Sequence, residues 1–492
     1  MFVIFAQEIS KKIRDMKKFA FLCALGLAAA FPAAGENIIL PDLLKGDIVL
    51  QQQTDARLWG KAAPGSDLRV VTSWNDKSYE VVADADSLWS VKVSTPEAGY
   101  TPYSITFSSG SEEVVLDNVL IGDVWFCGGQ SNMEMPLKGM FGCYVEGAEE
   151  TIAMSGRLKG LRYVTVQRNK ATGTDKSYFT KGTWHSSSPA TAADVSATAF
   201  FFGEALTEAL DIPVGIVCCS WSGSFLEDWM DSGLFAKYPD QKVFGAEFTK
   251  APTNYYYGML EPASNYTVKG MIWYQGESNV GSPDYAERLA AAVELWKSRF
   301  ELDSMPFYIV ELAPYLYNNG YEDKCPYLRE QQFKASRLIP DGGMISTYDL
   351  AYDYETVMIH PARKKEVGRR LAYMALSKAY EYGNPAEGPV FKSMSVEGSD
   401  VIVRFENADN GFRVAGPLKG FELAGADKVF YPADAEVQMK FGRGPDGGFM
   451  VKVSSDKVSD PVAVRYCFRD FLPGNLYNVE GWPAVPFRSD NW

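Results

Sequence analysis

An α/β architecture, a parallel sheet with helices on both faces and a β-domain at each end, is what this 492-residue sequence predicts. Three observations lead there. Residues 121–385 alternate between short β-branched runs and longer helical patterns, as strand–helix–strand crossovers do. The stretches on either side, 36–120 and 386–492, instead carry short alternating runs punctuated by turn residues. Every chemically suggestive motif of the middle segment falls just after a predicted strand, where open parallel sheets bind ligands. At this length more than one hydrophobic core is expected.

The chain begins with a basic stretch (Lys11, Lys12, Arg14, Lys17, Lys18), an apolar run over 19–31 and small residues to Gly35. That reads as a secretory signal peptide over 1–35, cleaved near Ala34 to Glu36 and too short to remain as a membrane span. Met16 opens the more natural basic region, and Cys23 lacks the preceding small residue of a lipoprotein site. A periplasmic or extracellular location follows, with no membrane anchor after cleavage. The formal charge is −14, and the chain after the signal segment has no basic cluster, which argues against nucleic acid and anionic membranes as partners. Export permits disulfides, yet Cys127, Cys143, Cys218, Cys219, Cys325 and Cys467 show no metal spacing and read mostly as core thiols.

Residues 36–120 hold strand patterns at 48–51, 68–74, 79–82, 88–93 and 103–108, separated by turns such as Pro64–Gly65, and predict a small β-sandwich. The middle segment predicts strands at 119–128, 161–166, 214–220, 268–275, 306–312 and 343–349. Helices are predicted at 192–210, 282–300, 328–338 and 363–382. From 386 onward the pattern returns to β, at 401–405, 412–414, 421–423, 449–453 and 462–468.

The stretch around which the chain is organised is GGQSNM, 128–133, at the end of the first strand of the middle segment. Two glycines allow a tight turn and a close approach of ligand to backbone. Ser131 then sits at a strand-to-helix turn, near free N–H groups that favour developing negative charge. A serine that merely caps a helix would look the same locally, and three further stretches separate the readings. His360, one of two histidines in the chain, follows the last predicted strand and precedes a helix, so it can reach Ser131 as a base; His185 lies in a polar loop elsewhere. Gly223, after the strand at 214–220, can present its backbone N–H to an oxyanion. Gln275, after the strand at 268–275, adds an amide donor, with Gln130, Glu277 and Asn279 as polar support. Nucleophile, base and oxyanion donors together imply acyl transfer.

GGQSNM, SWSGS, WYQGESN and IHPARKKEVGRRLA, in this order, resemble the signature blocks of the sialate O-acetylesterase family within the SGNH-hydrolase superfamily. The resemblance covers most of the chain after the signal segment, including IVLQQQTDARLWGKAAPGS and NLYNVEGWPAVPFRSDNW in the flanking β-domains. It implies a flavodoxin-like α/β/α esterase domain that needs no cofactor or metal. It also implies that Ser131 attacks an O-acetyl carbonyl while His360 shuttles the proton. The N–H groups of Ser131 and Gly223, with the Gln275 amide, then hold the oxyanion, and Glu277 braces the site. Two departures stand out. Ser222 replaces the family's usual glycine, and Val357 and Met358 occupy the positions where an Asp orients the histidine. A main-chain carbonyl within 357–359 is therefore the expected orienter, with Glu355, Asp353 and Asp349 as carboxylate alternatives.

The expected function is an exported esterase removing O-acetyl groups, first from sialic acids, with another acetylated glycan such as xylan or pectin as the alternative substrate. Arg168 is a candidate partner for a sialic carboxylate. A non-catalytic carbohydrate-binding protein has no use for the Ser131 and His360 pair.

Overall fold

The computed structural model describes residues 38–175, 178–238, 252–317, 323–413, 416–440 and 448–492. The expected signal peptide, 1–35, lies outside the described residues. At the centre is a parallel sheet of β1 (Glu112–Gly129), β2 (Leu161–Thr165), β3 (Val214–Ser220), β4 (Gly270–Tyr274), β5 (Phe307–Val310) and β6 (Gly342–Ile345). These run in the order β6-β5-β4-β1-β3-β2, every pairing parallel. The connections build out on one side of β1 and then on the other, so the winding reverses there. Such a switch point is where ligands bind.

β1 is the spine of the molecule. Its first half pairs antiparallel with Gly99–Ser109 of the N-terminal β-segment, and its second half enters the parallel sheet. Exposure alternates along the first half and vanishes along the second, as expected where a strand passes from a one-sided sheet to one covered on both faces. The expected division between residues 120 and 121 falls inside this strand. Trp125 and Cys127 point into one core, Val124 and Phe126 into the other.

A short helix, α1 (Ser131–Glu134), follows β1 directly. α2 (Ala197–Leu210) and α5 (Lys364–Lys378) share the core on one face of the sheet, whereas α3 (Tyr285–Phe300) and α4 (Cys325–Leu338) share the core on the other. α2 starts at Ala197 and not at 192 because the Ser196 hydroxyl caps it, accepting the Ala199 N–H at 3.1 Å. In the N-terminal segment a strand the sequence pattern did not single out, Asp55–Lys61, pairs with Leu88–Ser94. Its charged ends and central Trp-Gly obscure the alternation.

Beyond α5 two four-stranded antiparallel sheets enclose a third core. Arg329 of α4 is buried and donates to the carbonyls of Arg469 and Asp470, pinning this segment against the central sheet. The six cysteines among the described residues are unpaired, and only Cys143 of them is not buried.

The end of β1 tolerates no side chain. Gly129 has φ +144, and a Cβ there would lie 2.1 Å from the Tyr274 carbonyl oxygen. Gly129→Ala is expected to cost about 3 kcal/mol or more through combined overpacking and backbone strain. Denaturant midpoints measure this, and a loss within experimental scatter would contradict the fit described.

Candidate active site

The loops after β1, β3 and β4 leave the sheet at one level, because Gly129 is in register with both Ser220 and Tyr274. Trp221 N–H donates to the Gly129 carbonyl and Gln130 N–H to that of Tyr274, carrying the pairing one residue past the strands. Ser131 is thereby set at the sheet's carboxyl edge as the first residue of α1, and it is buried. The first N–H groups of a helix have no partner within it.

Asn132, next to Ser131, ties the site together. Its amide Nδ2 donates to the Ile359 carbonyl at 2.9 Å and to Glu277 Oε1 at 2.5 Å. Its Oδ1 accepts from Lys364 Nζ at 2.6 Å. The side chain is fully buried and all its hydrogen-bonding groups are engaged. The residue beside Ser131 is thus bonded to the residue beside His360, and to the second loop that converges there.

His360 is buried, and its Nε2 has no hydrogen-bond partner among the described residues. Burial, reinforced by the nearby Lys364 ammonium, lowers its pKa to about 4. The ring is therefore neutral through the physiological range, with one nitrogen free to accept a proton. Lys364 is itself lowered to about 8 by burial, with Glu277 and Glu355 opposing that shift. Glu277 moves up, its burial outweighing the hydrogen bond from Asn132.

Gly223, in the loop after β3, has φ +72 and open space where a Cβ would lie. The preceding Ser222 donates both its N–H and its hydroxyl to Glu134 of α1. The residue that departs from the family's glycine thus anchors this loop to the serine's own helix. Glu134 also receives the Arg168 guanidinium through both oxygens. Arg168 lies 4.8 Å over the Trp221 ring, and Trp221 stacks on Tyr255 at 4.3 Å.

Gln275 requires a correction. Its Nε2 is buried and donates to Gln130 Oε1, the Ser224 carbonyl and Asn279 Oδ1, so no hydrogen of this amide is left for an oxyanion. It is a brace among the three loops. Gln130 Oε1 also accepts from the N–H groups of Gly276 and Ser278, and Asn279 donates to Glu227. Glu277 does hydrogen-bond within the site, through Asn132.

The orienter of His360 also differs from the expectation. Nδ1 faces the Cys143 sulfur at 3.9 Å, and the one carbonyl of the 357–359 stretch with a bond into the site, that of Ile359, accepts from Asn132. Among the carboxylates, Glu355 is buried and accepts the N–H groups of Tyr352 and Ala362, closing the loop that carries His360 without bonding its ring. Asp353 is exposed. Asp349 is occupied by Arg370 and Tyr477. His185 is exposed in a two-residue strand at the sheet edge, paired with Tyr163.

Sequence reasoning missed Asn132, Glu134, Cys143 and Lys364. Asn132 was visible inside GGQSNM, and its signal was the amide itself, since a buried Asn demands partners. Among the described residues no group of three or more His, Cys, Asp or Glu could hold a metal, and no helix is long and apolar enough to cross a membrane.

Comparison with known proteins bears on this arrangement. Residues 121–377 match the sequence model of a family described as carbohydrate esterase, sialic acid-specific acetylesterase. The sialate O-acetylesterase of Homo sapiens is 28% identical over 404 residues, 73% of this chain and 74% of that protein. That of Mus musculus is 25% identical over 441 residues, covering 77% and 80% respectively. The crystal structure of a carbohydrate acetylesterase from Xanthomonas citri superposes with a TM-score of 0.80 at 32% identity, over 93% of this chain and all of that one.

With only two histidines, the electrostatics can be read directly by NMR on ¹³C-histidine-labelled protein. One resonance, lost in His360→Ala, should titrate near 4. Removing the neighbouring charge with Lys364→Met should raise that midpoint. A His360 titration in the ordinary range near 6.5, unmoved by Lys364→Met, would contradict the burial and charge described.

Proposed function

Since the chain belongs to the sialic acid-specific acetylesterase family of carbohydrate esterases, and is an esterase of O-acetylated carbohydrate, we propose that it is an exported enzyme releasing acetate from O-acetylated sialic acids through an acyl-enzyme on Ser131. The observation that carries the mechanistic part is the Asn132 bridge from the neighbour of Ser131 to the neighbour of His360. Ser131 Oγ attacks the acetyl carbonyl while His360 Nε2, neutral and unpartnered, takes its proton. The N–H groups of Ser131 and Gly223 receive the oxyanion. Collapse releases the sugar hydroxyl with the proton returned by His360. Water, deprotonated by the same nitrogen, then frees acetate. The ring is oriented by its buried loop and by Cys143, so the catalytic unit is a serine–histidine dyad rather than a triad completed by a carboxylate. Export rests on the basic and apolar run within residues 11–31 and on the small residues that follow it.

The choice of sialic acid rests on the family matched and on the activities named for the mammalian relatives. One observation favours a neutral acetylated polysaccharide such as xylan instead. Arg168, the candidate partner of a sialic carboxylate, is already held by both oxygens of Glu134. Acetate release from O-acetylated sialosides beside acetylated xylan decides between them, the faster kcat/KM naming the substrate.

Ser131→Ala and His360→Ala should each lose about 10³-fold or more in kcat/KM on an acetyl ester, and His185→Ala should lose nothing measurable. In the wild type kcat/KM should stay level as pH falls through 6. It should drop only toward an apparent pKa near 4, where the base becomes protonated. Retained activity in folded Ser131→Ala protein would refute the nucleophile. An acid limb at pH 6 to 7 would refute the buried neutral base.

A further inference from the structure

Beside His360 the chain makes a turn that local energetics do not favour. Met140 and Cys143 exchange both backbone hydrogen bonds, at 3.0 and 2.9 Å, across the two residues Phe141 and Gly142. Phe141 has φ 53 and Gly142 φ 78. A two-residue hairpin turn with positive φ at both positions selects Asn-Gly or Gly-Gly, because positive φ crowds Cβ against the backbone, which Gly avoids and the short polar Asn side chain offsets by local hydrogen bonding. Here the first position is a phenylalanine, and it is 78% exposed. Burial therefore does not repay the strain, and strained residues that persist in this way cluster at functional sites. The Phe141 ring lies 6.2 Å from the imidazole of His360, centroid to centroid.

Further aromatic rings extend the surface outward. Tyr144 and Tyr354, both exposed, hydrogen-bond to each other through their hydroxyls at 2.8 Å. Tyr354 stacks on Tyr352 at 5.3 Å with the planes 9° apart, and Tyr352 is fixed by its hydroxyl to Glu146. Tyr352 and Tyr354 lie in the loop closed by Glu355, and Tyr144 is bonded to Tyr354, so the rings are held rather than loose. Exposed aromatic rings beside a reactive group mark a binding surface, and rings with polar hydroxyl edges suit a ligand with apolar faces and a hydroxyl rim.

We propose that Phe141, with Tyr144 and Tyr354 beyond it, is a stacking platform for the pyranose rings of an oligosaccharide. Phe141 takes the C–H face of the sugar next to the scissile ester, and the tyrosine pair takes the sugars that follow. This rests on the esterase reading of Ser131 and His360 and adds to it that the substrate is a glycan chain engaged beyond the acetylated residue. The platform acts in binding and leaves the chemical step to the dyad.

The experiment compares kcat/KM on acetylated xylo-oligosaccharides and O-acetylated sialyllactose with kcat/KM on 4-nitrophenyl acetate, for wild type, Phe141→Asn and Tyr354→Ala. In Phe141→Asn the oligosaccharide-to-small-ester ratio should fall about tenfold, carried by a higher KM. Its Tm should equal or exceed that of the wild type, because Asn suits the turn. Tyr354→Ala should lower the ratio on the longest oligosaccharides most. Unchanged ratios in both variants overturn the platform, and so does a lowered Tm with both activities lost in parallel, which would make Phe141 structural. Self-association of the wild type in sedimentation, abolished by Phe141→Asn, overturns it in favour of a contact between two copies. Small-ester hydrolysis that does not depend on Ser131 would overturn the esterase reading itself, a separate failure.

Discussion

One buried amide holds this site together. Asn132 has three polar contacts, to the backbone carbonyl of Ile359, to Glu277 and to Lys364. Glu277 comes from the loop after β4, and Ile359 and Lys364 flank His360, so one amide ties both stretches to the helix that begins at Ser131. The strands place the loops near one another, but strand ends leave loops free to settle in many ways. Only a directional, desolvated hydrogen-bond network fixes their relative positions finely enough for a proton to pass between two side chains. An Asn suits the task because it donates and accepts on one planar group, so it can satisfy a carboxylate, a carbonyl and an ammonium together.

The same burial sets the electrostatics. A carboxylate bonded to the imidazole would raise the pKa of the histidine and stabilise its charged form. Here the neighbours are a thiol and an ammonium, and the ring sits at about 4 instead. On the proposed mechanism a base so depressed is a weak one, but it stays unprotonated through the physiological range without a carboxylate partner. Glu355, which carries a buried carboxylate in the same loop, spends both oxygens on backbone N–H groups. It shapes the loop, and the ring inherits that shape.

Much of this was legible in the sequence and some was not. The strand 214–220 coincides with β3 because a short, fully buried, mostly apolar run between turn residues reads as a central strand in an α/β chain. The gathering of Ser131, Gly223, Gln275 and the His360 loop at one edge followed from topology alone, since parallel strands send all their outgoing loops the same way. Which atoms those side chains would spend on one another did not follow. Gln275 looked like an oxyanion donor, yet its amide is consumed by Gln130, Ser224 and Asn279. Cys143 gave no warning because its proximity to His360 depends on a turn more than two hundred residues away in sequence. The strained Phe141 was likewise invisible, since Phe-Gly carries no turn signal and the positive φ appears only in three dimensions.

The central claim is that Asn132 delivers His360 to Ser131, and the rate at which an organophosphonate modifies the serine tests it without reference to any sugar. Wild type should be labelled at Ser131 alone, as peptide mass spectrometry would show. Folded Asn132→Ala should be labelled there about 10²-fold more slowly or worse, the size of the general-base contribution it forfeits. Labelling of Asn132→Ala at the wild-type rate, or labelling of wild type at another residue, would contradict it.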